Sequence, residues 1–120
     1  MSYASLRSAR VTGRRTAASL LLLAFSETMA LAYAQPKPQR HIVLIEAVGY
    51  SPMTLDVKAG DTVVWKNRDP FPHNVTADNV QFHSGDIAPE KTWEVRLDKR
   101  GRFPYVCTLH PGMKGVVTVK

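Results

Sequence analysis

Near its C-terminus the chain reads Cys107-Thr-Leu-His110-Pro-Gly-Met113, a stretch in which three side chains can bind a metal ion. A further histidine, His73, lies well upstream. Together these residues offer one thiolate, two imidazoles and one thioether. This is the donor set of sites in which Cys and two His surround copper in a plane and Met is a distant axial ligand. Because one such geometry accepts both Cu(I) and Cu(II), the residues predict a copper ion that passes single electrons.

The sequence around this stretch consists of short runs in which apolar and polar residues alternate. The runs cover residues 41–48, 53–57, 62–67, 92–97, 101–107 and 115–120. Alternation with a period of two, interrupted by Gly and Pro, is typical of β-strands, and no segment has a sustained helical period. We therefore expect an all-β fold, either a β-barrel or a β-sandwich in which two sheets pack face to face and bury the alternating apolar residues. Pro104 should lie at an edge or a bulge because it lacks an N–H group.

The spacing of the candidate ligands strengthens the metal prediction. Cys107 ends a predicted strand, and Pro111 and Gly112 should let the following loop fold back onto one point. His73 follows the strand-breaking residues 69–72, so it also lies at a strand end. We therefore expect one metal ion to bridge two strand ends at one end of the sandwich.

Two other sites are compatible with part of this set. Zinc accepts Cys and His in a tetrahedral site, but the thioether of Met113 is a poor ligand for zinc. A nucleophilic Cys–His pair would need an open thiolate and an orienting group, and it would leave Met113 unexplained. Copper remains the prediction that uses all four side chains.

The N-terminal third of the chain has the pattern of a secretory signal peptide. It contains a basic region, an apolar run over residues 17–25 and the small residues Ala32 and Ala34 before Gln35. An uncleaved anchor and the twin-arginine export route are the alternatives. We expect residues 1–34 to be removed, residues 35–40 to form an extended segment and residues 41–120 to form the folded domain.

Charge and cysteine content limit the remaining possibilities. Residues 35–120 contain twelve Lys and Arg against nine Asp and Glu, a net charge of about +3. Basic runs interleaved with aromatic residues are lacking, which argues against nucleic-acid binding. Cys107 is the only cysteine, so no intramolecular disulfide can form, and a metal would protect this thiol in an oxidising compartment. We expect an exported, soluble, monomeric periplasmic protein without membrane contact once the leader is removed.

Several segments together resemble a known family. Trp65-Lys-Asn67, Pro72-His73-Asn74-Val75, residues 101–105 and residues 107–115 are similar to the plastocyanin/azurin group of cupredoxins. The spacing within the ligand loop is most similar to that of amicyanin. The resemblance covers residues 40–120 and implies a Greek-key β-sandwich with one type 1 copper. The ligands that it implies are His73, Cys107, His110 and Met113.

The same resemblance implies roles for residues around the metal. The amide of Asn74 would bond toward the cysteine loop, and such contacts orient ligands. In this family the histidine of the ligand loop lies near the surface inside an apolar patch on which partners dock. The patch would contain Phe71, Pro72, Leu109 and Pro111, with Pro52 and Met53 as further candidates and Lys66, Arg68 and Lys114 as a basic rim.

The predicted function is electron transfer without substrate conversion. The resemblance to amicyanin suggests an amine-oxidising dehydrogenase as electron donor and a c-type cytochrome as acceptor, both bound transiently. A protein that stores or delivers copper is the alternative, although a thiolate-anchored site should hold the ion tightly. A copper enzyme would need further histidines, and His41 and His83, which we expect to be solvent-exposed, form no His-x-His pair.

Overall fold

Within the described part of the chain, strands account for the regular structure of this computed structural model. That part comprises Gly13, residues 34–78 and residues 81–120. The predicted leader, residues 1–34, lies outside it apart from Gly13 and Ala34. The strands are β1 (Arg40–Glu46), β2 (Gly49–Ser51), β3 (Thr54–Val57), β4 (Asp61–Asn67), β5 (Thr76–Ala77), β6 (Thr92–Leu97), β7 (Gly101–Cys107) and β8 (His110–Val119). In these residues we find no helix with the length and apolar composition needed to cross a bilayer.

The strands form two sheets, which confirms the predicted all-β Greek-key sandwich. The first sheet has the order β2-β1-β4-β6 and the second the order β3-β8-β7-β5. Most neighbours are antiparallel, but β1 pairs with β4, and β3 with β8, in parallel. Apolar side chains from the inner faces of both sheets meet in one core, as the alternating pattern requires. The largest of them, Trp65 of β4 and Tyr105 of β7, are almost completely buried.

The strand registers define two ends of the sandwich, here called the upper and the lower end. The lower end contains the start of β4 and β7 and the end of β6 and β8, because Asp61 pairs with Leu97 and Gly101 with Val119. The β3–β4 turn joins the two sheets there through a hydrogen bond from the Ala59 N–H to the Lys120 carbonyl. The upper end contains the last residues of β4 and β7.

The predicted strand over residues 41–48 is wrong only in its last two residues. The chain turns at Ala47 and Val48, both with positive φ, and returns as β2. Non-glycine residues are uncommon in this region of φ/ψ space, so the sequence offers no turn signal. The turn is stabilised instead by the buried carboxylate of Asp69, which accepts hydrogen bonds from the N–H groups of Ala47 (2.9 Å) and Val48 (3.0 Å).

The loop that was expected to carry the ligands is shorter than predicted. Cys107 and His110 are paired across β7 and β8, so only Thr108 and Leu109 form the turn. Pro111 and Gly112, which were expected to bend the loop, lie within β8. The ligand segment is therefore the tip of a β-hairpin, and the register shift between Val106 and Cys107 adjusts its twist.

Two expectations about side-chain position also need correction. Met53 does not continue the inward alternation of Leu55 and Val57, because it precedes β3 and is 63% exposed. Pro104 does not lie in an edge strand, since β7 runs between β8 and β5. Among the described residues, however, β5 pairs only with Tyr105 and Val106, so no pairing to β5 is recorded at Pro104.

Candidate metal centre

Three of the predicted ligands converge at the upper end of the sandwich. One ligand atom each from His73, Cys107 and His110 lies within 4.8 Å of the other two. The Cys107 Sγ atom is 3.8 Å from Nδ1 of His73 and 3.9 Å from Nδ1 of His110. His73 and Cys107 are completely buried, whereas His110 is half-buried. The protein thus presents two imidazole nitrogens and one sulfur to a common point, with one edge near solvent.

Backbone pairing holds the two ligand segments in place. Cys107 ends β7 and His110 begins β8, and their pairing across the hairpin brings both side chains to one place. His73 lies on the segment after β4, where its backbone exchanges two hydrogen bonds with Ile87 (3.2 and 2.7 Å). The ligands are therefore positioned by the sheet framework itself.

Met113 is the fourth predicted ligand and lies further along β8. It is buried, and it belongs to the same apolar core cluster as Cys107. It lies six residues after Cys107 in the hairpin, and it remains the predicted fourth ligand, which would add a second sulfur to the two nitrogens and one sulfur that converge.

Asp69 is a functional residue that the sequence analysis missed, because it was treated only as part of a strand break. Its Oδ2 atom is 2.7 Å from Nε2 of His73, and both side chains are buried. Burial alone would raise the pKa of Asp69, but hydrogen bonds from Val48, His73 and Ala47 outweigh burial and hold the pKa below its usual value. The ionised carboxylate accepts the Nε2–H of His73 and leaves Nδ1 free to bind a metal. The sequence contained one signal for this role: an acidic residue, Asp69, lies four positions before His73.

Asn74 connects the two ligand segments through both its backbone and its side chain. Its N–H donates to Cys107 Sγ (3.3 Å), and its amide exchanges hydrogen bonds with the Thr108 N–H (3.1 Å) and hydroxyl (2.7 Å). Burial raises the pKa of Tyr50 well above its usual value, so the phenol stays protonated and donates to the Asn74 carbonyl (2.5 Å). The turn after Cys107 is thereby fixed to the segment that carries His73.

The surface above the candidate site is apolar. The Phe71 ring packs against both imidazoles, with centroid distances of 5.5 Å to His73 and 5.9 Å to His110. Leu109 at the hairpin tip is 46% exposed and Phe71 is 41% exposed. Pro72 and Pro111, the other residues of the predicted patch, are also exposed. Among the proposed rim residues, Arg68 and Lys114 are exposed and Lys66 is half-buried.

The two remaining histidines lie outside the site. His83 is exposed, as expected, and its Nδ1 atom is 3.0 Å from the Thr76 hydroxyl. The expectation of a solvent-exposed His41 is wrong, because this residue is half-buried at the lower end and its Nε2 atom is 2.8 Å from the Asp61 carboxylate. The pairing joins β1 to β4, which a sequence pattern cannot show.

The donor set fits copper better than the other metals considered. Thiolate and thioether sulfurs favour Cu(I), and imidazoles suit both Cu(I) and Cu(II). Zinc would use the thiolate and the two imidazoles but gain little from a buried thioether. Among the described residues, this is the one cluster of His, Cys, Asp or Glu with ligand atoms close enough to hold an ion.

Comparison with known proteins places this geometry in a family. The family model of the cupredoxin-like domain matches residues 16–119. Amicyanin-alpha from Methylorubrum extorquens is 32% identical over 89% of this chain and 99% of its own length, and plastocyanin from Vicia faba is 38% identical over 60% and 88%. A solved structure of the Cu(I) form of an amicyanin variant superposes with a TM-score of 0.65 at 33% identity, covering 72% of this chain and 88% of its own. The chain therefore belongs to the cupredoxin-like family.

Proposed function

We propose that the protein is a periplasmic type 1 copper protein that carries single electrons between redox proteins. One observation carries this proposal: the two imidazoles and the thiolate converge within 4.8 Å at the surface-facing end of a rigid sandwich. The family membership and the relatives named amicyanin and plastocyanin support it.

In this proposal His73, Cys107, His110 and Met113 would hold the copper ion. Copper supplies a one-electron change between Cu(I) and Cu(II) in such a site. The chain contributes rigidity, because Asp69 orients His73 and the Asn74 amide holds the hairpin tip. Ligands that stay in place in both oxidation states need little reorganisation, which favours rapid electron exchange. Burial of Cys107 also excludes water from the thiolate.

The exposed patch around His110 gives partners access to the site. We propose that Phe71, Pro72, Leu109 and Pro111 form the docking surface and that the half-buried His110 is the point at which electrons enter or leave. Small interfaces of this kind suit transient redox encounters, since release must be fast. An amine-oxidising dehydrogenase as donor and a c-type cytochrome as acceptor are the partners that we propose.

The periplasmic location and the absence of an enzymatic activity belong to the same proposal. The signal-peptide pattern of residues 1–34 supports export. In the described residues the site is the one cluster of candidate ligands, and neither His41 nor His83 belongs to it. A carrier that changes only its oxidation state needs no substrate pocket.

The decisive experiment is a titration of residues 35–120 with Cu(II), followed by visible spectroscopy. We expect a strong blue thiolate-to-copper absorption band that saturates at about one copper per chain and bleaches reversibly with a reductant. Cys107→Ser should abolish the band, whereas His83→Gln, a change at an exposed histidine outside the site, should leave it intact. A colourless complex, or copper that binds only as Cu(I) and passes to a chelator, would instead indicate storage or delivery.

A further inference from the structure

Positive charge is concentrated at the lower end of the sandwich, opposite the metal site. This end contains seven cationic residues: Arg40, Lys58, Arg96, Lys99, Arg100, Arg102 and Lys120. It contains four acidic residues: Asp56, Asp61, Glu94 and Asp98. Lys37, which precedes β1, is not counted at this end. With Lys37 counted among the remaining residues, the excess of three equals the net charge of about +3 that residues 35–120 carry as a whole. The rest of the domain, including its metal end, is therefore close to neutral.

The acidic side chains at the lower end are already engaged within the protein. Glu94 pairs with Arg40, Asp98 with Arg96 and Asp56 with Lys120. The fourth, Asp61, accepts hydrogen bonds from His41 and from two backbone N–H groups. Each carboxylate thus has an internal partner and is not available to attract cations from outside.

Four cationic side chains are left without such a partner. Within residues 34–78 and 81–120 no ion pair includes Lys58, Lys99, Arg100 or Arg102, and all four residues are exposed. They come from the β3–β4 turn, the β6–β7 turn and the start of β7, so elements of both sheets contribute to this surface. Together they form a basic surface, which we call the basic end.

The basic end lacks the apolar residues that a protein interface would need. The exposed large hydrophobic residues of the described chain are Ile42, Val48, Met53, Phe71 and Leu109, and none of them lies in the lower turns. Cores of protein interfaces are enriched in aromatic residues and Met and depleted in Lys. Phosphate headgroups of a membrane, in contrast, attract Lys and Arg without any apolar contact.

We propose that the basic end rests on an anionic phospholipid surface and points the metal end away from it. The segment just before β1 is held at this same end, where the Gln39 N–H donates to the Asp61 carboxylate and the Gln39 carbonyl accepts from the Thr62 N–H. The metal site lies one strand length away, about 20 Å for the six steps of ~3.3 Å between the first and the last of seven residues, so it stays free for partners. The proposal departs from our expectation of no membrane contact, and it does not depend on the bound metal.

The test measures binding of the exported protein to vesicles of equal parts phosphatidylcholine and phosphatidylglycerol. We compare it with a variant carrying Lys58→Gln, Lys99→Gln, Arg100→Gln and Arg102→Gln. The matched control carries Lys66→Gln, Arg68→Gln, Lys91→Gln and Lys114→Gln, which removes the same charge elsewhere. At about 20 mM NaCl we expect the partition coefficient to fall about tenfold or more in the first variant and to stay unchanged in the control. Binding of the unmodified protein should weaken at about 300 mM NaCl, because salt screens the charges.

Labelling of lysines in the unmodified protein tests the orientation independently of any variant. A water-soluble amine reagent should modify Lys66 and Lys114 on vesicle-bound protein but react poorly with Lys58 and Lys99, as mass spectrometry would show. Equal loss of binding in the two variants, uniform labelling, or no binding to the anionic vesicles would overturn the proposal. Tighter binding to polyglutamate than to vesicles would assign the basic end to an acidic protein and overturn it as well.

Discussion

Asp69 is the residue at which the fold and the candidate metal site meet. Its carboxylate accepts hydrogen bonds from Ala47 and Val48, which turn with positive φ, and from His73. One buried anion therefore stabilises an unusual turn and selects the nitrogen that His73 presents. Because both tasks use the same charge, loss of that charge should affect both the turn and the orientation of His73.

Substitution of Asp69 should damage stability and metal binding together. In Asp69→Asn the amide keeps one acceptor but turns its NH₂ group toward former donors, so we expect a loss of about 3 kcal/mol in the free energy of unfolding. Copper affinity should fall about tenfold to a hundredfold. Urea unfolding of the apoprotein and competition with a copper chelator measure the two effects. Asp98→Asn, at an exposed ion pair, should cost less than about 1 kcal/mol, and equal effects of the two changes would contradict the assignment.

Asp61 predicts how stability depends on acid. Backbone hydrogen bonds from Gln39 and Lys58, together with the His41 side chain, lower its pKa to about 2 from 3.8. A carboxyl group whose pKa is lower in the folded than in the unfolded state stabilises the folded protein at pH values above its unfolded pKa. For Asp61 this contribution is lost as the pH falls toward 2. The difference in urea midpoint between wild type and Asp61→Asn should therefore shrink between about pH 4 and pH 2. A constant difference over that range would show that Asp61 does not contribute through its charge.

At the scale of elements, the β7–β8 hairpin is the part of the fold that the site depends on most. It carries Cys107 and His110 at its tip, and Met113 follows in β8. Close packing beneath the hairpin limits its movement, since Tyr105 of β7 is 1% exposed and contacts the rings of Tyr50 and Trp65. The position of the ligands therefore depends on how closely β8 approaches Tyr105.

Gly115 permits that close approach. A Cβ atom at Gly115 would lie 2.4 Å from the ring of Tyr105, which has no room to move. We expect Gly115→Ala to lower the free energy of unfolding by about 1–3 kcal/mol, as overpacking does elsewhere. Gly112→Ala is the matched control in the same strand, because its Cβ would meet nothing within 4 Å. Thermal unfolding of the two variants as apoproteins measures the difference in their stabilities. Similar melting temperatures would refute the packing argument.

At the scale of the whole molecule, the two ends of the sandwich differ in character. The upper end is apolar around a candidate metal site, and the lower end is basic, with an excess of cationic residues equal to the net charge of residues 35–120. This division separates a surface suited to brief protein contacts from one suited to anionic headgroups. In the proposed function, electrons would therefore be exchanged at the upper end only.

The docking proposal is testable through the exposed apolar residues. Leu109→Asn should slow electron transfer to a c-type cytochrome several-fold while leaving the blue absorption unchanged, because Leu109 lies in the patch but is not a ligand. Ile42→Asn, at an exposed residue of β1 outside the patch, should have little effect on the rate. Stopped-flow kinetics distinguish them, and equal rates in all three proteins would place docking elsewhere.

The sequence by itself determined the class of fold and the type of site. Alternation along the strands predicted two packed sheets, and the spacing of Cys107, His110 and Met113 predicted the metal, because these signals are local in the chain. Even so, local patterns misjudged the hairpin tip, where β8 begins at His110 and the turn is confined to Thr108 and Leu109.

Only the tertiary structure decided which distant groups meet. The contact of Asp69 with Ala47, the pairing of His41 with Asp61 and the position of Gly115 over Tyr105 join residues from different strands. The basic end likewise arises because separate turns collect at one end of the sandwich. Such contacts depend on strand order and register, which follow from packing of the whole core and leave no periodic trace in the sequence.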